Sequence, residues 1–183
     1  MPTERGYHHG DLRRAVLDAA LDVIAAEGPA ALSLRDLARR AGVSHAAPAH
    51  HFKDRAGLLT AIAVEGHGFL SEALGETANL SDLGVRYVRF ADRHPAHFQI
   101  MFRPDLLHTR DPELLTARER TRGRLLAAVE DRGGEPAAGF TAAWAMAHGF
   151  ATLLLSHNLD DFLGGRSPED AFRSLVAGRE SDS

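Results

Sequence analysis

The sequence predicts an all-α protein of about nine helices, because apolar residues recur at intervals of three and four along most of the chain. Gly-Pro, Gly-Gly and Ser-Pro steps separate these periodic segments, and such steps mark the points where helices end and begin. The alternation of apolar and polar residues that is typical of strands does not occur in the 183 residues. The sequence has no internal repeat.

The composition is that of an ordinary globular protein, with 44% hydrophobic residues and a formal net charge of −4. Cysteine is absent, which excludes disulfides, thiolate metal sites and a cysteine nucleophile. The first residues lack the apolar core of a signal peptide, and no apolar run is long enough to span a membrane. We therefore expect a soluble, cytoplasmic protein.

The first helix is predicted from about Gly10 to Glu27, where Leu12 and Val16 begin a pattern of apolar residues that face a core. The Gly28-Pro29 step is expected to stop it. Residues 1–9 precede this helix and are expected to form a loose arm.

Two short helices around a tight turn follow at residues 33–52. Ser33 is expected to cap the first of them, and Asp36 three residues further on makes the arrangement a close relative of the capping box. Gly42 stands where a helix ends through a left-handed residue, and Ser44 is expected to cap the second helix. This order is typical of a DNA-binding helix-turn-helix. An ordinary helical hairpin would share the same local pattern.

Four segments between about residue 11 and residue 59 carry a wider resemblance. They are Ala26-Glu27-Gly28, Leu32-Ser33-Leu34-Arg35-Asp36-Leu37-Ala38, Ala41-Gly42-Val43-Ser44 and His51-Phe52-Lys53-Asp54-Arg55-Ala56-Gly57-Leu58-Leu59. Together they resemble the DNA-binding domain of the tetracycline-repressor (TetR) family of bacterial transcription regulators. The sequence departs from the family pattern at Ala49, where an aromatic residue is usual, and at Arg55, where a lysine is usual.

The resemblance implies a helix-turn-helix DNA-binding domain at residues 1–57 and a helical regulatory and dimerisation domain at residues 58–183. Asp54 is expected to cap a fourth helix that continues to about Leu74, so the boundary between the two domains runs through a helix.

Five further helices are predicted in the second domain from caps and breakers. The seventh carries four arginines between Arg118 and Arg124. A solvated helix face is the common interpretation of such a run, and binding of an anionic ligand or an acidic partner is the alternative. The predicted starts and breaks are Ser81-Asp82, Arg93-His94-Pro95, a loop at 103–110, Asp111-Pro112-Glu113, Gly133-Gly134, Pro136, Gly164-Gly165 and Ser167-Pro168.

In a helix-turn-helix the second helix enters the major groove, so its exposed side chains contact DNA. Histidines can bond base edges or phosphates, and alanines can pack on thymine methyl groups. A surface without Arg, Asn or Gln predicts modest base readout, with affinity coming largely from phosphate contacts. Residues 1–57 hold eight Lys or Arg against seven Asp or Glu, so the basic charge is weak. The candidate DNA-binding residues are Arg35, Ser44, His45, Ala46, Ala47, Ala49, His50, His51, Lys53 and Arg55.

Trp144 and His148 are four residues apart and therefore share one face of the predicted eighth helix. With Gly149 they resemble a Trp…His-Gly signature in the C-terminal domain of one TetR subgroup. One interpretation is a core tryptophan beside a hydrogen-bonded core histidine. The other is a mainly apolar ligand cavity with one polar group that orients the ligand. The candidate ligand-binding residues are Phe98, Met101, Phe102, Trp144 and His148.

Enzyme and metal sites are not indicated. Adjacent histidines such as His50-His51 point about 100° apart on a helix and are poorly placed to share a metal ion, and no HExxH pattern occurs. Ser156 and His157 are consecutive on a helix and cannot share the hydrogen bond of a catalytic triad. We expect neither catalysis, nor a metal, nor another cofactor.

The resemblance implies a homodimeric, ligand-responsive regulator, usually a repressor, which binds a palindromic operator in double-stranded DNA and is released by a small molecule. The last two helices, at about 136–163 and 167–178, would form the dimer. One alternative is a helical sensor or adaptor with a degenerate DNA-binding face, because Ala49 replaces the aromatic residue and the basic charge is weak. A small helical enzyme that uses histidines is the other alternative.

Overall fold

The computed structural model describes residues 8–76, 79–130 and 136–180. These residues form ten α-helices and two short 3-10 turns, and they contain no strand, which confirms the predicted all-α class. The first helix already includes His8 and His9, which were predicted to belong to the arm. Residues 1–7 of the predicted arm lie outside the described part of the chain. Gly133 and Gly134 also lie outside it. The helices are α1 (His8–Glu27), α2 (Leu34–Arg40), α3 (Ala47–Phe52), α4 (Arg55–Leu74), α5 (Leu80–Arg93), α6 (Pro95–Met101), α7 (Pro112–Glu130), α8 (Pro136–Leu155), α9 (Asp160–Leu163) and α10 (Pro168–Glu180).

The chain forms two compact units, each of which contains part of α4 and part of α7. The first unit comprises the residues up to Glu65 together with Ala96–Leu115, and the second comprises Gly66–Pro95 together with the residues from Thr116 onwards. None of the described helices is both long enough and apolar enough to cross a membrane.

The core of the first unit is formed where α1, α2 and α3 pack against one another. Its fully buried side chains include Val16 and Ile24 of α1, Leu37 of α2 and Leu58 of α4. The periodic apolar residues of the sequence therefore form the expected core.

Glu65 connects three helices in the first unit. One of its carboxylate oxygens lies 3.0 Å from Nε2 of the buried His97 on α6. The other accepts a hydrogen bond from Arg14 on α1. A single side chain on α4 thus bridges α1 and α6.

The turn after α2 is formed as predicted. Gly42 has φ = 65°, in the left-handed region. The amide of Val43 donates to the carbonyl of Ala38 at 2.9 Å, and the amide of Gly42 donates to the carbonyl of Arg39 at 3.3 Å. These two bonds form a Schellman motif, which satisfies the last carbonyls of α2 and fixes the direction of the chain towards α3.

The starts of α2 and α3 differ from the predictions. Ser33 occupies the N-cap position of α2, but its side chain accepts no capping hydrogen bond. Ser44 is not a cap, because α3 begins at Ala47 with Ala46 as its N-cap. Pro48 explains the later start: a helix capped by Ser44 would require a backbone N–H at residue 48, and proline has none. In the observed helix Pro48 lies in the first turn, where no such bond is made.

A γ-turn joins α3 to α4. Lys53 has φ = 67° and ψ = −62°, and the amide of Asp54 donates to the carbonyl of Phe52 at 2.8 Å. The carboxylate of Asp54 then accepts from the amide of Gly57 at 2.8 Å, which confirms Asp54 as the cap of α4. A Cβ atom at Gly57 would lie 2.0 Å from the carbonyl oxygen of Phe52, so only glycine fits there. This junction fixes where α3 ends and where α4 begins.

In the second unit α5 packs against both α8 and α10. Gly84 permits the close approach of α5 to α10, because a Cβ atom there would lie 2.5 Å from the ring of Phe172. The cap of α5 is Asn79, whose side chain accepts from the amide of Asp82 at 3.1 Å. The predicted cap, Ser81-Asp82, instead lies in the first turn of α5.

The predicted helix at 136–163 is divided into α8 and α9. The chain leaves α8 through His157, which has φ = 59°, and the amide of Asn158 donates to the carbonyl of Leu153 at 2.9 Å. This is again a Schellman motif, with histidine in the place that glycine usually takes. Gly164, with φ = 58°, ends α9 as predicted.

Candidate functional site

The helix-turn-helix presents one polar and small-residue surface, which we call the recognition surface. It consists of residues on α3 and on the turn before it. Phe52 and Pro48 of the same segment are buried, and Phe52 lies in the core as predicted. The residues of the recognition surface are Ser44, His45, Ala46, Ala47, Ala49, His50 and His51, of which Ala47 and His51 are half-buried and the other five are exposed.

Two exposed cations, Arg35 on α2 and Lys53 directly after α3, have no partner among the described residues. Arg35 and Lys53 form no ion pair and no side-chain hydrogen bond with the described residues. By contrast, Arg39 and Arg40 both bind Asp36, each with an N···O distance of 2.6 Å. The hydrogen bonds from Arg39 and Arg40 lower the pKa of Asp36, so this carboxylate stays ionised and keeps both arginines engaged. Arg35 and Lys53, which pair with no described residue, are therefore available for phosphate contacts.

Arg55 has a structural contact. Its side chain is half-buried, and one guanidinium nitrogen donates to the carbonyl of Pro29 at 2.5 Å. This bond ties the start of α4 to the 3-10 turn Pro29–Ala31. The structure thus gives Arg55 a role within the first unit, and its predicted phosphate contact remains a prediction.

In the second unit, three polar groups form a chain of hydrogen bonds. The hydroxyl of Tyr87 lies 2.9 Å from Nδ1 of His148, and the side chain of Trp144 also hydrogen-bonds Tyr87. An indole N–H can only donate, so Trp144 donates to the Tyr87 oxygen and the hydroxyl donates to His148. Burial raises the pKa of Tyr87 and lowers the pKa of His148, which keeps both groups neutral.

A small cavity of about 30 Å³ lies beside this hydrogen-bonded group. That volume is enough for one or two water molecules, whereas sites for small organic ligands measure roughly 300–1,000 Å³. A larger ligand could enter only if the walls moved. The lining residues are Leu80, Leu83, Gly84, Tyr87, Leu125, Ala143, Trp144 and Ala147.

The five candidate ligand residues form two separate groups. Trp144 and His148 lie on one face of α8, with ring centroids 6.1 Å apart, as their spacing predicts. Trp144 is 40% exposed, so it is not a core residue. In the first unit, Phe98 and Met101 are buried, and the ring of Phe98 lies 5.2 Å from that of Phe102. A cavity shared by all five remains a prediction.

Sequence reasoning assigned Tyr87 only to the apolar pattern of α5 and missed its polar role. The available signal was a hydroxyl among residues that otherwise pack in a core. A buried tyrosine hydroxyl normally needs a hydrogen-bond partner. His148, which sequence reasoning had already placed in the same domain, is a side chain that can accept such a bond.

The arginines of α7 do not form a single surface. Successive helical residues are turned by about 100°, and Thr121 in the middle of the run is buried. Arg120 and Arg122 are exposed and lie on opposite sides of that buried residue, while Arg118 and Arg124 are half-buried. The run therefore fits a solvated helix better than an anion site. Within the described part of the chain, no group of three His, Cys, Asp or Glu side chains could hold a metal ion.

Two models of known protein families match this chain. A model described as bacterial regulatory proteins of the tetR family matches residues 16–62. A second, described as a tetracyclin repressor-like C-terminal domain, matches residues 80–178, more than half of the chain. The chain belongs to the TetR family. TetR-family proteins are transcriptional regulators that bind DNA, and they are not enzymes.

Solved structures agree with the TetR assignment. A protein of unknown function from Rhodococcus sp. RHA1 is 31% identical, with a TM-score of 0.77 and 96% of each chain covered. A tetR-family regulatory protein from Rhodococcus RHA1 is 20% identical, with a TM-score of 0.69 over 91% of this chain and 93% of that one. AibR, solved with isovaleryl coenzyme A and operator DNA, is 17% identical, with a TM-score of 0.66 over 92% and 97% of the two chains. No curated protein matches the TetR-family chain described here.

Proposed function

We propose that this TetR-family regulator is a cytoplasmic repressor that binds a palindromic operator as a homodimer and is released by a small molecule. The main support for DNA binding is the recognition surface, which is largely exposed, together with Arg35 and Lys53, which pair with no described residue. Small side chains on α3 permit close approach to the groove, and the two cations supply phosphate contacts. Residues 1–57 act as the DNA-binding domain and residues 58–183 as the regulatory domain.

Exposed apolar side chains on the last helices support a homodimer. Leu153 on α8 and Leu175 on α10 are each 46% exposed, and Phe162 on α9 is 75% exposed. Pairing of these helices with those of a second copy buries the three side chains. A two-fold axis between the copies presents two recognition surfaces to successive turns of DNA, which is why the operator is palindromic.

The effector site is assigned to the surroundings of Tyr87, Trp144 and His148. Three groups that already share hydrogen bonds beside an apolar cavity can exchange them for bonds to a ligand. A ligand that widens the cavity favours one conformation of the regulatory domain and so changes the affinity for DNA. AibR carries an acyl-coenzyme A and operator DNA on the same fold, which supports an effector without identifying it.

The test is binding of the purified protein to genomic fragments around its own gene, at two salt concentrations, with and without Arg35→Ala plus Lys53→Ala. Selective binding that weakens steeply with salt and is lost in the double variant supports the proposal. The matched control is Arg120→Ala plus Arg122→Ala, which removes two exposed arginines of α7 and leaves binding unchanged. A folded dimer without selective binding at low salt would instead indicate the sensor or adaptor.

A further inference from the structure

Two histidines of the recognition surface have no hydrogen-bond or ion-pair partner among the described residues. His45 and His50 are exposed, and neither forms a hydrogen bond or ion pair with a described residue. The imidazole of His50 has one ring neighbour, His51, with centroids 5.4 Å apart. The segment 44–52 contains no Lys, Arg, Asn or Gln. Apart from Ser44 and the half-buried His51, these two imidazoles are the side chains of α3 and its preceding turn that can bond DNA.

The protonation state decides what these imidazoles can bind. A neutral imidazole offers one donor and one acceptor, whereas an imidazolium offers two donors. Guanine presents two acceptors, N7 and O6, in the major groove, and the backbone presents phosphate oxygens. The negative field of DNA also favours the charged form of a histidine beside it. A neutral imidazole can donate to only one of these acceptors, so a contact in which both ring nitrogens donate takes up a proton near neutral pH.

The described charged groups on the elements around α3 form no bond with His45 or His50. On α1, Arg13 lies over the ring of Phe52, 5.4 Å from its centroid. On α2, Asp36 is held by Arg39 and Arg40. Asp54, after α3, accepts from Gly57 and lies 3.0 Å from Nε2 of His108. None of the charged or titratable groups on the elements around α3 bonds His45 or His50 in the described structure: Arg13, Arg14, Asp18, Asp22, Glu27, Arg35, Asp36, Arg39, Arg40, His51, Lys53, Asp54, Arg55 and His108.

We propose that His45 and His50 are the principal hydrogen-bond donors of the recognition surface and that they contact the operator as imidazolium ions, so that operator binding takes up protons. The DNA groups that fit are hydrogen-bond acceptors, either the N7 and O6 of guanine or phosphate oxygens. This inference rests on the proposed function and adds a regulatory property to it: affinity for the operator is highest in mildly acidic solution and falls as pH rises.

The experiment measures the Kd for the selected operator between about pH 6 and pH 8.5 at constant ionic strength, for the wild type and for His45→Gln plus His50→Gln. Glutamine keeps a hydrogen-bonding side chain but cannot be protonated in this range. The wild type is expected to bind roughly 10- to 100-fold more weakly at the upper pH, and the double variant should lose most of that dependence. Replacement by lysine at both positions fixes the charge and should maintain binding at the upper pH.

Two control variants separate the proposal from general effects of charge. Lys53→Gln removes a permanent cation, so it should weaken binding at every pH and leave the pH dependence unchanged. His157→Gln removes an exposed histidine from the second unit and should behave as the wild type does. An operator with 7-deazaguanine tests the guanine contact: loss of the pH dependence identifies guanine N7 as an acceptor, and its retention leaves guanine O6 or phosphate oxygens as the acceptors.

Either of two results would overturn the inference while leaving the proposed function intact. One is selective binding by the wild type that does not change with pH. The other is a double variant that keeps the full pH dependence. Absence of selective binding at every pH would instead refute the proposed function itself.

Discussion

The hydroxyl of Tyr87 lies 2.9 Å from Nδ1 of His148 and joins α5 to α8 inside the second unit. Tyr87→Phe removes the hydroxyl and leaves the donor of Trp144 and the acceptor of His148 without this partner. We expect a loss of about 1–3 kcal/mol in the free energy of unfolding, measured in urea. A double-mutant cycle with His148→Leu should show that the two losses are not additive. Equal stability of Tyr87→Phe and the wild type would contradict this account.

Stability should fall in mild acid because of His67. Burial, together with the charge of Arg118, lowers the pKa of His67 to about 4. The unfolded chain then binds a proton below about pH 6.5 that the folded chain refuses until about pH 4, so stability decreases as pH falls through this window. Between pH 7 and pH 5 this residue should account for a loss of about 2 kcal/mol. Urea unfolding of His67→Gln at both pH values should show a correspondingly smaller change than the wild type.

Gly57 is expected to be intolerant of any side chain. Gly57→Ala would place Cβ 2.0 Å from the carbonyl oxygen of Phe52 and disrupt the junction of α3 and α4. We expect a loss of about 2–4 kcal/mol in the free energy of unfolding. Gly68→Ala is the matched control on the same helix, because a Cβ atom there meets nothing within 4 Å. That variant should gain about 0.5–1 kcal/mol from its helix propensity.

The alanines of the recognition surface lead to a prediction about thymine. Ala46 and Ala49 are exposed and can pack on the 5-methyl group of thymine in the major groove. Replacing a contacted thymine by deoxyuridine removes that methyl group and should weaken binding about fourfold. The same replacement should have little effect on Ala46→Gly plus Ala49→Gly, whose Kd is measured in parallel. An operator that tolerates deoxyuridine at every position would rule out the methyl contacts.

Local sequence determined most of the fold, and the exceptions have physical reasons. Gly42 was predictable because its left-handed backbone favours glycine and because the residues around it follow a known capping pattern. His157 also has a left-handed backbone, but histidine does not favour that conformation. The end of α8 was therefore not marked by a glycine in the sequence. At α3 two local rules conflicted. The capping rule favoured Ser44, and the missing N–H of Pro48 prevailed.

The candidate sites were only partly accessible to sequence reasoning. Exposure of the recognition surface follows from a motif that specifies which residues face inwards. The inward contact of Arg55 with Pro29 does not, because the two residues are 26 positions apart and meet only in the folded chain. The partnership of Tyr87 and His148 is likewise long-range, because the two residues are 61 positions apart. Helical periodicity identifies buried faces but not which buried polar groups meet.

Trp144 is the sole tryptophan of the chain, and it combines 40% exposure with a hydrogen bond to Tyr87. Its indole emission is therefore an intrinsic spectroscopic reporter of the proposed effector site, without labels or engineered probes. A compound that enters the cavity must disturb this ring or its hydrogen bond, and either event shifts the intensity or wavelength of the fluorescence. A library of small molecules can thus be screened against the unmodified protein in an ordinary fluorimeter.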